Sequence, residues 1–120
     1  MTTLPLVAVL YSVPLLCEAL SSTLDDIAEV HSFPAGRGDT AGLLRCVSPD
    51  AVVVDDSAEA EAACHWTKRH ERPLVHVSLR DQKVRVLQNG AWAESPGATA
   101  ESIRNALAGA IHGRNGLGAA

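Results

Sequence analysis

The chain has almost no aromatic side chains: one Phe, one Tyr and two Trp among 120 residues. Its core must therefore be aliphatic, and a tryptophan outside that core asks for a reason. Positive charge is also scarce. Ten Lys and Arg stand against 14 Asp and Glu, a net charge of -4 with a pI near 5.6. That balance excludes a general affinity for nucleic acid or anionic membrane, because both need a basic surface, and leaves only a local basic patch open. Cysteine is sparse and odd in number: Cys17, Cys46 and Cys64 are three thiols at wide spacing. They make neither a disulfide framework nor a four-thiolate zinc site, and fit reduced thiols in a cytoplasmic protein. A secretory leader is not expected either. The apolar run Leu4 to Leu20 has no basic residue before it, is interrupted by Pro5 and Pro14, and carries Glu18. Leu16 is too bulky to precede a lipid-modified cysteine at Cys17.

What is present is an ordinary globular balance, 47% apolar and 20% charged. This length suits one domain, expected over residues 1–112 with a flexible Gly/Ala-rich tail over 113–120. Leu6 to Tyr11 is a short continuous apolar run, a strand buried on both faces. Pro14 suits the first turn of a helix, in which Leu15, Leu16, Ala19, Leu20 and Leu24 recur at helical spacing. A second strand is expected from Ile27 to Phe33. Asp39 or Thr40 can cap a short helix carrying Leu43, Leu44 and Val47. Ala51 to Asp55 forms a third strand, and Ser57 can cap a helix whose Ala58, Ala62, Ala63 and Trp66 share a face. Pro73 ends that helix before a fourth strand, Leu74 to Leu79. Strands alternating with helices imply a parallel sheet with helices on both faces.

After Leu79 the pattern changes. Only Arg80 to Lys83 precede the next β-rich run, Val84 to Gln88, and a parallel crossover needs about a dozen residues, so that run must turn back antiparallel. Asn89-Gly90 is a two-residue hairpin signal. It sets Gln88 opposite Ala91, Leu87 opposite Trp92, Val86 opposite Ala93 and Arg85 opposite Glu94, the last pair attracting across the strands. Thr99 caps a final helix with Ile103, Leu107, Ala110 and Ile111 on its apolar stripe, and Gly113 is placed to end it.

Two stretches carry a family likeness. Pro49-Asp50-Ala51-Val52-Val53-Val54-Asp55 resembles the third strand of a response-regulator receiver domain, and Pro73-Leu74-Val75-His76-Val77-Ser78 its fourth. Pro14-Leu15-Leu16 with Glu18-Ala19-Leu20 is similar to the start of that family's first helix. The resemblance spans about residues 4 to 112 and implies a flavodoxin-like open parallel sheet, its fourth crossover helix replaced by an antiparallel hairpin at about residues 84 to 94. It puts Asp55 at the phosphoacceptor position and Ser78 at the family's Thr or Ser. The family's acidic pair, which holds Mg²⁺, falls at about Tyr11, Ser12 and Val13, where no acid stands, and the lysine at the end of its fifth strand has no clear counterpart, with none in Ala91 to Glu94.

The resemblance therefore implies a degenerate receiver without a phosphorylation switch. Asp55 and Asp56 can cap or brace the following helix, line a regulatory pocket, or accept a phosphoryl group; Ser78 follows whichever of these Asp55 does. Neither a cofactor nor a bound Mg²⁺ is expected, because two carboxylates make a poor site for a hard cation. Cys64, His65 and His70 match no zinc spacing, Cys17 has no neighbouring base to activate it, and Gly36-Arg37-Gly38 lacks phosphate-loop spacing. His76 reads as a packed strand histidine with one hydrogen-bond partner. Nucleophile, base and orienting group nowhere fall at recognisable spacing, so no enzyme is expected. The expected function is cytoplasmic regulation, in signal transduction or transcriptional control, through contact with another protein or a second copy. Leu87 and Trp92 on the hairpin are the expected surface. A small-molecule sensor with a crevice at Tyr11, Ser12, Asp55 and Ser78 is the rival.

Overall fold

In the computed structural model, the three strands that the sequence makes apolar, Leu6–Tyr11, Ala51–Val54 and Leu74–Ser78, lie side by side at the centre of one sheet. The structure describes residues 4–36, 38–97 and 99–119, with side chains as far as Ile111. The order is β1 (Leu6–Tyr11), α1 (Pro14–Leu24), β2 (Glu29–Pro34), α2 (Thr40–Val47), β3 (Ala51–Val54), α3 (Ser57–His70), β4 (Leu74–Ser78), β5 (Lys83–Gln88), β6 (Ala91–Pro96) and α4 (Ala100–Ala119). The six strands form one sheet in the order β2-β1-β3-β4-β5-β6. The first four are parallel, and β5 and β6 run antiparallel. The chain is thus an α/β protein with a mixed sheet and four helices.

Alternation along each strand splits the aliphatic residues between two layers. Val7, Val9, Val53 and Val75 pack with Leu16, Leu20 and Leu24 of α1 and with Ile103 and Leu107 of α4. Ala8, Leu10, Val52, Val54 and Leu74 pack on the opposite face with Leu44 of α2 and with Ala60, Ala63 and Trp66 of α3. Two helix details and one strand boundary differ from the sequence expectation. The buried side of α3 is Glu59, Ala60, Ala63, Trp66 and Thr67, because the helix begins at Ser57, with Asp56 and not Ser57 as its cap. Leu15 is 76% exposed, because the buried stripe of α1 is Leu16, Leu20 and Leu24 and Leu15 lies one position off it. Strand β2 lies one to two residues later than expected, where it keeps register with β1.

The hairpin follows its turn. Asn89 and Gly90 take φ of 55° and 79°, and the resulting pairs are Gln88 with Ala91, Leu87 with Trp92, Val86 with Ala93 and Arg85 with Glu94, as the Asn-Gly turn predicts. Thr99 and Ser102 cap α4 reciprocally: Ser102 N donates to Thr99 Oγ1 at 3.1 Å and Thr99 N to Ser102 Oγ at 3.0 Å. Gly113, placed by the sequence to end this helix, does not; α4 runs on to Ala119. The side chains of residues 112–120, and so most of the expected tail, lie outside the described residues, as does Arg37 of the Gly36-Arg37-Gly38 segment. Among the described residues no helix is long and apolar enough to cross a membrane.

Candidate functional site

Three acids leave the carboxyl end of β3 within five residues, and each accepts hydrogen bonds from a different neighbour. Asp55 Oδ1 accepts from Ser12 N at 2.7 Å and Ser12 Oγ at 2.9 Å, while Oδ2 accepts from Val13 N at 3.1 Å. Val13 is the N-cap residue of α1 and has no side-chain acceptor of its own for that helix start. Asp55 supplies one from another strand, a carboxylate held where the helix dipole favours it. Asp56 caps its own helix, with Oδ1 accepting from Ala58 N at 2.9 Å and Glu59 N at 3.1 Å. Glu59 is 9% exposed and reaches the β2–α2 loop, where it accepts from Gly36 N at 3.0 Å and from the buried Thr40 hydroxyl. The loops that follow β1 and β2 are therefore tied by carboxylates to the segment that leaves β3 and opens α3.

Of the residues singled out in the sequence, this edge brings together Asp55, Ser12 and Val13. Tyr11 and Val13 pack against the α1–α4 layer, and the Tyr11 carbonyl accepts from Ala35 N at 2.7 Å. Ser78 is engaged in the turn that follows it: its hydroxyl donates to Asp81 Oδ2 at 3.1 Å and accepts from Asp81 N at 3.3 Å. Chemically, a carboxylate holding three donors is a poor nucleophile, because its lone pairs are already shared and its charge is dispersed. The same donors make it a firm structural acceptor.

A second constellation lies on the α3 side of β4 and β5. The β4–β5 register sets His76 opposite Arg85, and Arg85 Nη2 donates to His76 Nδ1 at 2.8 Å. A guanidinium only donates, so Nδ1 carries no proton and the ring is the neutral Nε2–H tautomer. Burial, with only 5% of the residue exposed, and then the Arg85 charge hold the His76 pKa below its ordinary value, against a weaker pull from Asp55 and Asp56. The Arg85 guanidinium also lies 5.0 Å from the centroid of the Trp92 ring, within cation–π range. Glu94, the expected partner of Arg85, instead pairs with Lys83 at 2.8 Å. A lysine at β5's start reaches Glu94 diagonally, while Arg85 is drawn inward by His76.

This face forms a groove of about 400 Å³ between α3 and the hairpin, lined by Cys64, His65, His76, Arg85 and Trp92 among others. Leu87 is buried beneath it in the α2–α3 layer, so of the two expected hairpin contacts only Trp92, 43% exposed, reaches the surface. The His70 ring lies against Trp66 with ring centroids 4.5 Å apart. Among the described residues no group of three or more His, Cys, Asp or Glu side chains is placed to hold a metal ion. Sequence reasoning missed Glu59 as a tether and Arg85 as the partner of His76. The first had a usable signal, an acid at the third helical position; the second needed a β4–β5 register that a four-residue turn does not fix.

Compared with family models, with curated proteins and with solved structures, the chain gives no match.

Proposed function

We propose that this chain is a receiver-like regulatory protein that acts through protein–protein contact without a phosphorylation switch. The sheet order β2-β1-β3-β4 with helices on both faces supports a flavodoxin-like ancestry, with the hairpin standing where a further crossover would otherwise lie. The carrying observation is that both oxygens of Asp55 are occupied by Ser12 and Val13. Those same positions are where a receiver keeps its metal-binding acids, and they offer a backbone, a hydroxyl and an apolar side chain. The donor set does not fit Mg²⁺, which asks for carboxylates and several open positions. Phosphoryl transfer without that charge has little to stabilise it.

The output then passes through a surface, and the hairpin, with all of β6 and the Trp92 ring exposed, is the one this reading favours. Cytoplasmic signalling or transcriptional control is the setting that this reading supports. A metabolite sensor using Tyr11, Ser12, Asp55 and Ser78 has weaker support, since Asp55 closes on Ser12 and Ser78 closes on Asp81.

Incubation with a small phosphodonor and Mg²⁺, followed by intact-mass measurement, tests the proposal. Unchanged mass is expected. A gain of one phosphoryl group that disappears in Asp55→Asn would restore the ordinary switch.

A further inference from the structure

We infer that β6 pairs antiparallel with β6 of a second copy of this chain, about a two-fold axis at Ala93, joining two six-stranded sheets into one. The inference deepens the reading above by naming the partner of the hairpin surface, and it rests on that reading for the hairpin's role in output.

The argument begins with which backbone groups are free. In a hairpin closed by a two-residue turn, the flanking pair exchanges hydrogen bonds and the pairs then alternate. Gln88 with Ala91, Val86 with Ala93 and Val84 with Ser95 are therefore the bonded pairs. The bond from Gly97 N to Gln82 O at 2.8 Å continues the same parity. Trp92 and Glu94 consequently direct their N–H and C=O groups away from β5, to the open edge of the sheet, and Pro96 directs only a carbonyl there. An edge of this kind is a template for another strand unless it is blunted. All six residues of β6 are exposed, and the strand has no bulge.

Centring on Ala93 pairs the two residues that carry both an outward N–H and an outward C=O with each other. Setting Trp92 against the partner's Glu94, and Glu94 against the partner's Trp92, satisfies both residues on both copies with four bonds. Centring on Glu94 instead would form as many bonds, with Trp92 N–H reaching a proline carbonyl, but would set the two Glu94 carboxylates directly opposite each other on one face, a like-charge pairing that destabilises.

The side chains suit the same register. On the α3 side, Trp92 meets the partner's Glu94 while its own ring carries Arg85 at 5.0 Å, so an acid approaches a cation across an aromatic face. Lys83 beside each Glu94 offsets part of the negative charge at the edge. On the other side Ala93 meets its own copy and Ala91 meets the partner's Ser95, small residues that let the strands close. Pairing of like with like also terminates at two copies, whereas β6 against β2 would propagate.

Sedimentation velocity over a concentration series up to the millimolar range, with amide hydrogen exchange on the same samples, tests this. The expected result is a species of twice the 12.6 kDa chain mass whose Trp92 and Glu94 amides become protected as it forms. Glu94→Pro removes an outward N–H and no bond to β5, so it is expected to stay monomeric at every concentration while keeping the wild-type circular dichroism. Should that variant fail to fold, the exchange result on the unaltered chain still decides. A wild type that remains monomeric throughout, or a dimer whose Trp92 and Glu94 amides exchange freely, would overturn the inference. Neither result touches the phosphodonor experiment, and a phosphoryl gain there would leave the mass and exchange measurements standing.

Discussion

Asp55 and Ser12 lie 43 positions apart and meet twice, through the Ser12 amide at 2.7 Å and its hydroxyl at 2.9 Å. This contact, with the Val13 amide on the other oxygen, makes the acid at the end of β3 the acceptor for the start of α1. Asp55→Ala is expected to destabilise the fold by about 1–2 kcal/mol, the scale of losing hydrogen bonds to a charged acceptor where the donors can partly rehydrate. Asp55→Asn should cost less, because an amide oxygen still accepts. Urea unfolding with an unchanged m-value would report the loss as a lower midpoint. A shift within about 0.5 kcal/mol of zero, as for an ordinary surface acid, would mean that the contact contributes nothing.

Glu59 is the stronger of the two tethers, because its partner Thr40 is only 6% exposed and cannot find water when the carboxylate goes. Glu59→Ala should therefore cost about 2–3 kcal/mol, including a buried hydroxyl left unpaired. Glu59→Gln should recover part of that by accepting from Thr40 again. Hydrogen exchange adds a local readout: the Gly36 amide, held at 3.0 Å, should lose protection in Glu59→Ala before the sheet does.

Gly90 isolates a backbone effect. Its φ is 79° and a Cβ built on it meets nothing within 4 Å, so Gly90→Ala adds torsional strain and no collision. A cost of roughly 1–2 kcal/mol is expected from placing an L side chain in the left-handed region, read by thermal or urea unfolding. A neutral substitution would mean that the hairpin turn relaxes to another type, and the cross-strand pairs would then shift register in a nuclear Overhauser map.

How far these features could be read in advance follows from the range of the interaction. The hairpin register was legible because Asn89-Gly90 fixes a two-residue turn, and parity does the rest. The strands were legible because runs such as Val52-Val53-Val54 bury both faces and tolerate no other period. The end of α4 was not: Gly113 only weakens a helix, and the capping pair Thr99 and Ser102 sets the start without setting the stop. The acids at β3 were visible as acids, yet their roles depended on which loop each could reach. Asp56 acts on residues two and three positions away and was legible as a cap. Asp55 and Glu59 act on segments brought beside them by the sheet order: the sequence marks each as an acid near a helix start, but not which loop it reaches. Arg85 illustrates the same limit. Cross-strand spacing offers it Glu94, and only the β4–β5 register reveals that His76 competes and wins.

That competition makes His76 a source of pH dependence. Its ring is neutral in the folded state, accepts from Arg85 at Nδ1 and has its pKa held below the ordinary 6.5 by burial and by Arg85. The surrounding charges are mixed: Asp55 and Asp56 at the end of β3 favour protonation, Arg85 opposes it, and Lys83 with Glu94 on the hairpin largely cancel. Above about pH 6.5 the ring is neutral folded and unfolded, so it contributes no slope. As pH falls below 6.5 the unfolded chain takes up the proton first, which makes the unfolded state bind more protons and stability fall. The loss continues until the pH passes the lowered folded value. His76→Gln keeps an acceptor for Arg85 and removes the titration, so its stability should decline less than wild type between pH 6.5 and the onset of carboxylate protonation. Paired urea titrations of the two proteins across that window measure the difference. A histidine resonance for His76 titrating at or above 6.5 in the folded protein, or equal slopes in the two proteins, would show that Arg85 does not hold the ring neutral.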